Sequence, residues 1–277
     1  MASLLGTFPV PGSHQPRRCR QCQTGGVTTD EHRRAQAASF GAAADAYERG
    51  RPPYPPEAID WLLPAGAVRV LDLGAGTGKL TRQLAGRGLD VTAVEPSEGM
   101  REQLGRAVPG VRALAGTGER IPLPDRSVDA VLVAQAWHWV DPAQAVPEVA
   151  RVLRPGGRLG LVWNVRDERA DWVAGLGAIL RRSDGGRVSS TVSAAPQVGP
   201  PFGPLERRDV EWVHHLSPDE LTDMVASRSY VITMSATDRE KLLNELRHLT
   251  RTHPDLAGAG EIAMPYVTRC WRTRLPA

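Results

Sequence analysis

Short apolar segments alternate with amphipathic segments through the middle of the chain. Five of the apolar segments have the length of buried strands, and they cover residues 68–73, 91–95, 111–115, 128–133 and 158–164. Between them, apolar residues recur every three or four positions, which predicts helices with one face against a sheet. The three helical stripes are Leu80 and Leu84, then Met100, Leu104 and Val108, then Val146, Val149 and Leu153. This alternation indicates right-handed crossovers and a doubly wound, mostly parallel α/β sheet.

Polar residues mark where several of these helices begin. The first helix is expected to start near Thr77, and Ser97 can cap the second. Asp141 precedes a proline at the first position of the third helix, where a carboxylate can accept hydrogen bonds from unpaired amides. Further along, Ser217–Glu220 has the spacing of a capping box and predicts a helix that ends near Arg228.

The flanking regions are less regular and define the domain organisation. Residues 1–30 show no helical or strand period and are expected to be a disordered extension. One domain is then expected over residues 31–277, with a core over 66–164 and a mobile loop over 184–204. Further helices are predicted over 31–47, 57–63 and 172–180. Residues 205–274 are expected to contain C-terminal helices and the last two strands. The helices include the apolar stripe Leu242, Leu243, Leu246 and Leu249, and the strands cover 206–215 and 262–271. The sheet would then have seven strands.

Composition narrows the class of protein. The chain has 277 residues, of which 41% are hydrophobic and 23% charged, as expected for one large globular domain. No apolar run approaches the roughly 20 residues that cross a bilayer, and the first apolar run precedes its arginines, unlike a signal peptide. We therefore expect a cytoplasmic protein without membrane contact. The net charge of +3, from 34 basic and 31 acidic residues, gives little reason to expect a nucleic-acid partner.

The cysteines point to neither a disulfide framework nor a metal site. There are three, Cys19, Cys22 and Cys270, an odd and sparse set for a chain of this length. Cys19 and Cys22 have the spacing of half a zinc site, but no second pair lies nearby to complete four ligands. We therefore expect no bound metal.

The segment from Val70 to Thr81 carries the strongest chemical signal. An apolar strand ends here in a turn with glycines at positions 74, 76 and 78, and a helix follows. Glycine adopts positive φ without strain, and the absence of a Cβ lets a ligand approach the backbone closely. Unpaired amides at a helix start can then hold an anionic group. A nucleotide-like cofactor is therefore expected at this turn.

Three kinds of nucleotide site compete for this turn. A P-loop is excluded because Leu73 stands at its first glycine and Leu80 at its magnesium-binding hydroxyl. The dinucleotide motif is weakened because its third glycine falls on Lys79. The third candidate is S-adenosylmethionine (SAM). Glu95, nineteen residues after Gly76 at the end of the second strand, can accept from both hydroxyls of an adenosine ribose, as it could also in a dehydrogenase.

Several motifs around the turn occur in one order, and together they favour SAM. The series resembles the class I SAM-dependent methyltransferases of type 11 over roughly residues 66 to 164. The resemblance implies a Rossmann-like sheet of seven strands with helices on both faces. The motifs are Asp72-Leu-Gly-Ala-Gly-Thr-Gly, Glu95-Pro-Ser, Gly116-Thr-Gly-Glu-Arg-Ile-Pro-Leu, Val128-Asp-Ala-Val and Leu153-Arg-Pro-Gly-Gly.

The resemblance also implies a set of cofactor-binding residues. In the family the glycine loop holds the methionine portion of SAM, the acid after the second strand holds the ribose, and residues after the third strand border adenine. The residues of this chain at these places, with one after the fourth strand, are Asp72, Gly74, Gly76, Thr77, Gly78, Glu95, Pro96, Ser97, Thr117, Gly118, Glu119 and Gln135.

Three outer segments resemble a narrower group, the bacterial relatives of trans-aconitate methyltransferase. They are Ala46–Pro55, Gln135–Trp139 and Ser227–Val231. By this resemblance the N-terminal segment closes over the site. The expected substrate-binding residues are Arg51, Tyr54, Trp137, Trp139 and Arg166, and Tyr47 joins the candidate catalytic residues.

Methyl transfer from SAM needs no proton on the leaving thioether, so alignment of donor and acceptor can supply on the order of 7 to 11 kcal/mol. A base helps a hydroxyl or amine acceptor, whereas a carboxylate is already ionised near neutral pH. Ligands of doubly wound sheets lie at the carboxyl ends of strands, so residues after the fourth strand are expected to meet the acceptor. His138 could act there as a base beside Gln135, and Arg51 or Arg166 could bind an acidic acceptor.

Simpler interpretations stay open for several of these residues. The glycines could form only a structural turn, His138 could be a structural histidine, and both tryptophans could belong to the core. The leading hypothesis is a SAM-dependent methyltransferase for a small molecule such as a carboxylic acid, acting as a monomer or homodimer. The alternatives are a SAM-binding protein without catalysis, serving in sensing or assembly, and, as the weakest, a nicotinamide oxidoreductase.

Overall fold

The computed structural model describes residues 51–184 and 195–277, and in these ranges seven strands form one sheet. The strands are β1 (Arg69–Leu73), β2 (Asp90–Val94), β3 (Arg112–Leu114), β4 (Val128–Ala134), β5 (Leu153–Arg166), β6 (Glu206–Leu216) and β7 (Ile262–Arg274). Their order across the sheet is β3-β2-β1-β4-β5-β7-β6. The predicted seven-stranded, mostly parallel α/β fold is confirmed.

Helices connect the strands on both sides of the sheet. They are α1 (Pro56–Leu62), α2 (Lys79–Ala85), α3 (Glu98–Ala107), α4 (Pro142–Val152), α5 (Asp171–Asp184), α6 (Pro218–Ala226), α7 (Ser229–Ile232) and α8 (Ala236–Thr252), with a 3₁₀ turn at Trp137–Trp139. The predicted extension over 1–30, the predicted helix over 31–47 and residues 185–194 of the predicted mobile loop lie outside the described residues. Phe202, in the remainder of that loop, is buried in the core.

Strand pairing places one edge of the sheet in position for a ligand. Strands β1 to β5 pair in parallel, and β7 inserts antiparallel between β5 and β6. From β1 the chain proceeds outward to β2 and β3, then returns to β4 on the other side of β1. The crevice at such a reversal, outside the carboxyl ends of β1 and β4, is where doubly wound sheets bind ligands.

Three predictions about helix ends need correction. Helix α2 begins at Lys79, not near Thr77, because Gly78 occupies the N-cap in a left-handed conformation. Ser97 is the N-cap of α3, but its side chain makes no capping hydrogen bond. Leu153 belongs to β5 and not to the preceding helix, since it pairs with Val128.

Other predicted helix starts are confirmed by hydrogen bonds. The Asp141 carboxylate accepts from the Ala143 amide at 3.0 Å. Ser217 and Glu220 form the capping box of α6 in both directions. That helix ends at Ala226, and a separate short helix, α7, follows Arg228. No helix in the described ranges is long and apolar enough to cross a membrane.

Candidate cofactor and acceptor site

The glycine turn joins the ends of three strands. Gly74, Gly76 and Gly78 have φ of 74°, 57° and 92°, in the left-handed region that favours glycine. The amides of Gly74 and Ala75 donate to the Val94 carbonyl at the end of β2, at 2.8 and 3.1 Å. A Cβ on Gly74 would lie 2.6 Å from the Cβ of Ala136, after β4. The turn therefore has a fixed position between the ends of β2 and β4.

Glu95 links the end of β2 to this turn. Its Oε2 accepts from the Gly76 amide at 3.0 Å, and its Oε1 accepts from the Ser97 amide at 2.9 Å. Burial raises the pKa of Glu95, while these two amides and Arg101 oppose the rise. Each carboxylate oxygen has a second lone pair, so both could also accept from hydroxyls of a ligand.

Asp72, at the carboxyl end of β1, is fully buried. Its Oδ2 accepts from the Thr81 hydroxyl at 2.6 Å, whereas its buried Oδ1 has no hydrogen-bond partner in the structure. Burial raises the pKa of Asp72 to about 7, and the nearby Glu95 carboxylate adds to the rise. An orphaned buried carboxylate oxygen needs an explanation, and a cationic ligand group supplies one.

The charges of this cradle fit SAM better than a dinucleotide. Asp72 and Glu95 lie close enough to interact electrostatically, and both are buried. A pyrophosphate brought beside two carboxylates would be repelled. SAM instead carries a sulfonium and an ammonium, and the orphaned oxygen of Asp72 can accept from a donor of that kind.

The predicted adenine segment follows β3 and is tied to the start of α4. Thr117 and Arg120 exchange backbone hydrogen bonds at 3.2 Å. A Cβ on Gly118 would lie 2.6 Å from Cγ1 of Val140, and Oε1 of Glu119 accepts from the Asp141 amide at 2.7 Å. This segment therefore has a fixed shape, and its contact with adenine stays a prediction.

Gln135 follows β4 at the crevice. Its φ of 58° is left-handed, which is uncommon for a residue other than glycine. The Gln135 amide donates to the Val162 carbonyl at 2.9 Å, and its side chain donates to the Asn164 carbonyl at 3.2 Å. These bonds fix Gln135 between the ends of β4 and β5.

The 3₁₀ turn buries one of the next three predicted site residues and leaves the other two with exposed surface. Trp137 is buried in the core and donates through Nε1 to the Gln197 carbonyl at 3.2 Å. His138 and Trp139 keep exposed surface, and their rings lie 4.8 Å apart. Partial desolvation by the surrounding protein, followed by the Arg51 charge, lowers the pKa of His138. The histidine is therefore neutral near physiological pH.

The N-terminal residues of the predicted site have different surroundings in the structure. Arg51 acts electrostatically on His138, so the structure brings these two together. Tyr54 is buried, and its backbone forms two hydrogen bonds with the Gln83 side chain, at 3.0 and 2.7 Å. Tyr47 lies outside the described residues. The roles predicted for all of these residues stay predictions.

Arg166, at the carboxyl end of β5, belongs to a group of residues that sequence reasoning largely missed. It stands opposite Tyr266 in the β5–β7 register, and Tyr266 stands opposite Trp212 in the β7–β6 register. The Tyr266 and Trp212 rings stack with centroids 5.4 Å apart. Burial lowers the pKa of Arg228, after α6, to about 9, and Arg166 and Arg51 add to the effect. Arg228 belongs to the outer segment Ser227–Val231, and the resemblance of that segment is the one sequence signal that points to this arginine.

Asn164 and Thr268 brace this end of the sheet. The Thr268 hydroxyl donates to Oδ1 of Asn164 at 2.6 Å and accepts from Nε1 of Trp212 at 2.8 Å. Nδ2 of Asn164 donates to the Pro53 carbonyl at 2.9 Å. The N-terminal segment, β5, β7 and β6 are therefore linked by side chains beside Gln135.

The fold and the cradle together define a class I SAM-dependent methyltransferase, and comparison with known proteins agrees. Residues 71–161 match the family model described as a methyltransferase domain. An uncharacterised methyltransferase of Mycobacterium tuberculosis is 61% identical over 243 residues, which cover 88% of this chain and 98% of the relative. The chain belongs to this methyltransferase family.

More distant relatives have the same character. An uncharacterised methyltransferase-like protein of Schizosaccharomyces pombe is 35% identical, over 80% of this chain and 90% of the relative. A solved structure from Anaeromyxobacter dehalogenans, described as a proposed type II methyltransferase, is 26% identical, with a TM-score of 0.59 over 82% of this chain and 99% of that one. The predicted enzyme class is confirmed, and the narrower resemblance to trans-aconitate methyltransferase is not shown.

Proposed function

We propose that this methyltransferase binds SAM between Asp72, the glycine turn and Glu95, and transfers the methyl group to a small-molecule carboxylate. For the cofactor, the observation that carries the proposal is the buried Asp72 Oδ1, which has no hydrogen-bond partner. A group of this kind is stabilised by a cationic donor. The methyltransferase relatives favour an enzyme over a SAM-binding protein without catalysis.

The acceptor proposal rests on charge at the carboxyl end of β5. Arg166 lies there, and Arg51 lies close enough to contribute to its electrostatic environment. Glu168 also acts on Arg166, but both oxygens of Glu168 accept from Arg181, at 2.7 and 2.8 Å. Arginine side chains at a ligand-binding crevice favour an acidic ligand.

When bound, SAM supplies an electrophilic methyl group and leaves as a neutral thioether. The chain's contribution is then to align the acceptor and exclude water. Gln135 and the braced Asn164 form a fixed wall between β4 and β5. The arginines would hold the acceptor so that one of its oxygens faces the cofactor side of that wall. No base is required, since a carboxylate is already ionised.

Turnover with methyl-labelled SAM tests this proposal. The full-length protein is incubated with a panel of carboxylic acids, alcohols and amines, and the label in each product is counted before and after mild alkaline hydrolysis. Methyl esters release the label as methanol, whereas methylated amines and ethers retain it. We expect label in the acids, in alkali-labile form. Label confined to alcohols or amines would contradict the carboxylate assignment.

A further inference from the structure

Two arginines near the acceptor end of the crevice form no ion pair within 4.0 Å with another residue of the described part of the chain. The Nε atoms of Arg166 and Arg228 are buried and lack a hydrogen-bond partner. The ion pairs between described residues leave both guanidiniums out. Buried polar groups are otherwise almost always hydrogen-bonded, and a buried charge is usually paired.

The surroundings of the two arginines disfavour their positive charge, although Glu168, which is shared with Arg181, acts on Arg166 in the opposite direction. Burial lowers the pKa of both, and Arg51 acts on each in the same direction. Arg166 also acts on Arg228, so three guanidiniums lie in one electrostatic neighbourhood. Two of its other members are the phenols of Tyr230 and Tyr266, which are neutral near physiological pH. An anion bound beside Arg166 and Arg228 would favour their charged forms.

Tyr266 supplies a further hydrogen-bond donor at the same place. The side chain is buried, and its hydroxyl donates to Sδ of Met224 at 3.4 Å. A thioether is a weak acceptor, so an anionic oxygen would be a better partner for this hydroxyl. Burial raises the pKa of Tyr266, which keeps the phenol protonated as a donor.

The supporting elements give these groups fixed positions. Arg166 and Tyr266 are directly opposite on paired strands, so their side chains share one face of the sheet. Met224, in α6, packs in the same apolar cluster as Tyr266, and Arg228 follows that helix within one turn. The group is therefore built on two strands and a helix end.

We propose that Arg166 and Arg228, with the Tyr266 hydroxyl, form a subsite for an acid group of the acceptor that is not methylated. The acceptor would then carry at least two acid groups, one presented to the cofactor beside Gln135 and the other held between the arginines. This inference rests on the proposed function. The second acid group could be a carboxylate or a phosphate. Both would present negatively charged oxygen atoms to the arginines and give the ligand at least two negative charges.

Binding to the protein saturated with the demethylated cofactor, S-adenosylhomocysteine, tests the subsite without turnover. Calorimetric titrations compare malonate, succinate and glutarate with the monocarboxylates of matching length, and inorganic phosphate forms a separate arm. We expect at least one dicarboxylate to bind about tenfold or more tightly than its monocarboxylate, as a charge-assisted hydrogen-bonded pair provides. Tighter binding of phosphate than of any dicarboxylate would identify a phosphate as the second group. Equal binding of mono- and dianions would overturn the subsite.

Variants locate the effect. Arg228→Gln and Arg166→Gln should each abolish the preference for dianions, whereas Arg169→Gln, an exposed residue three positions after Arg166, should retain it. Unchanged dianion binding in both variants would contradict the proposal. If the wild-type protein did not bind S-adenosylhomocysteine, the proposed cofactor site would be refuted instead. Failure of the subsite and failure of the cofactor site are therefore distinguishable.

A stability measurement separates a ligand-binding arginine from a structural one. A buried charge without a partner costs stability, so its replacement by an apolar side chain of similar volume should not destabilise the fold. Arg228→Met should therefore keep or raise the Tm of the ligand-free protein while it abolishes the dianion preference. A clear fall in Tm would assign Arg228 a structural role and overturn its place in the subsite.

Discussion

The Glu95 carboxylate accepts a hydrogen bond from the backbone amide of Gly76 at 3.0 Å, across nineteen positions of the chain. One acid thus positions the glycine turn and presents oxygens to the proposed ribose.

Replacement of Glu95 should therefore weaken cofactor binding. Glu95→Ala removes an acceptor for the Gly76 and Ser97 amides together with the proposed ribose contact. We expect the SAM affinity, measured by calorimetry, to fall by about tenfold or more, in line with the loss of a charged hydrogen bond. Glu98→Ala, on the exposed start of α3, is the matched control and should bind normally. An unchanged affinity in Glu95→Ala would remove the ribose assignment.

Asp72 should make SAM binding dependent on pH. Its pKa, raised to about 7 by burial, means that the carboxyl is largely protonated at about pH 6 and ionised at about pH 8. A cationic ligand favours the ionised form, so the affinity for SAM should rise over this range. Asp72→Asn should bind weakly and lose the dependence, whereas Asp90→Asn, at an exposed position, should keep it. If the affinity for SAM still rose with pH in Asp72→Asn, ionisation of Asp72 would not be its cause.

The same group has an opposite effect on the stability of the ligand-free protein. Between the ordinary pKa of 3.8 and the raised value of about 7, the folded state holds a proton that the unfolded state releases. The contribution of Asp72 to the free energy of unfolding should therefore decrease as the pH rises through this window. Urea titrations of the wild type and Asp72→Asn would show it as a difference that changes with pH. A difference that is constant with pH would contradict the raised pKa.

Gly74 and Gly88 offer a matched pair of alanine substitutions. Both glycines have φ of 74°, so each alanine carries similar backbone strain, on the order of 1–2 kcal/mol. A Cβ on Gly74 also meets Ala136 at 2.6 Å, whereas one on Gly88 has nothing within 4 Å. Gly74→Ala should lower both Tm and SAM affinity, and Gly88→Ala should lower Tm only, and by less. Equal effects on affinity would show that the close approach to Ala136 is unimportant.

Thr268 should position the acceptor wall. Thr268→Val leaves Oδ1 of Asn164 and Nε1 of Trp212 without this partner, at a cost of roughly 1–3 kcal/mol. The acceptor KM should rise as well. Thr273→Val removes a buried hydroxyl on the same strand, bonded to the Gly203 carbonyl, and should destabilise the fold without changing the KM. If both variants changed KM alike, the effect would reflect stability and not position.

Much of the fold followed from the sequence because its strands are short, apolar and separated by clear helical stripes. The insertion of β7 between β5 and β6 did not, since pairing between distant segments depends on contacts that periodicity does not encode. Helix ends moved for local reasons: Gly78 took the left-handed cap position, and Leu153 joined the sheet through Val128.

The candidate site was predictable to the extent that its residues lie in motifs. Asp72 and Glu95 follow strands in a recognisable series, but the orphaned Oδ1 of Asp72 depends on how the surrounding side chains pack. Trp137 and His138 are adjacent in sequence, yet the 3₁₀ turn buries one ring and exposes the other residue. Arg228 approaches Arg166 only through the packing of α6 against the sheet, which no local pattern reveals.

Calorimetric titration of the full-length protein with SAM and with S-adenosylhomocysteine tests directly whether the Asp72–Glu95 cradle binds this cofactor. Both ligands should bind saturably at one site, and the affinity for SAM should increase as Asp72 ionises. Absence of binding by both ligands at millimolar concentration would contradict a cofactor site for SAM in this protein.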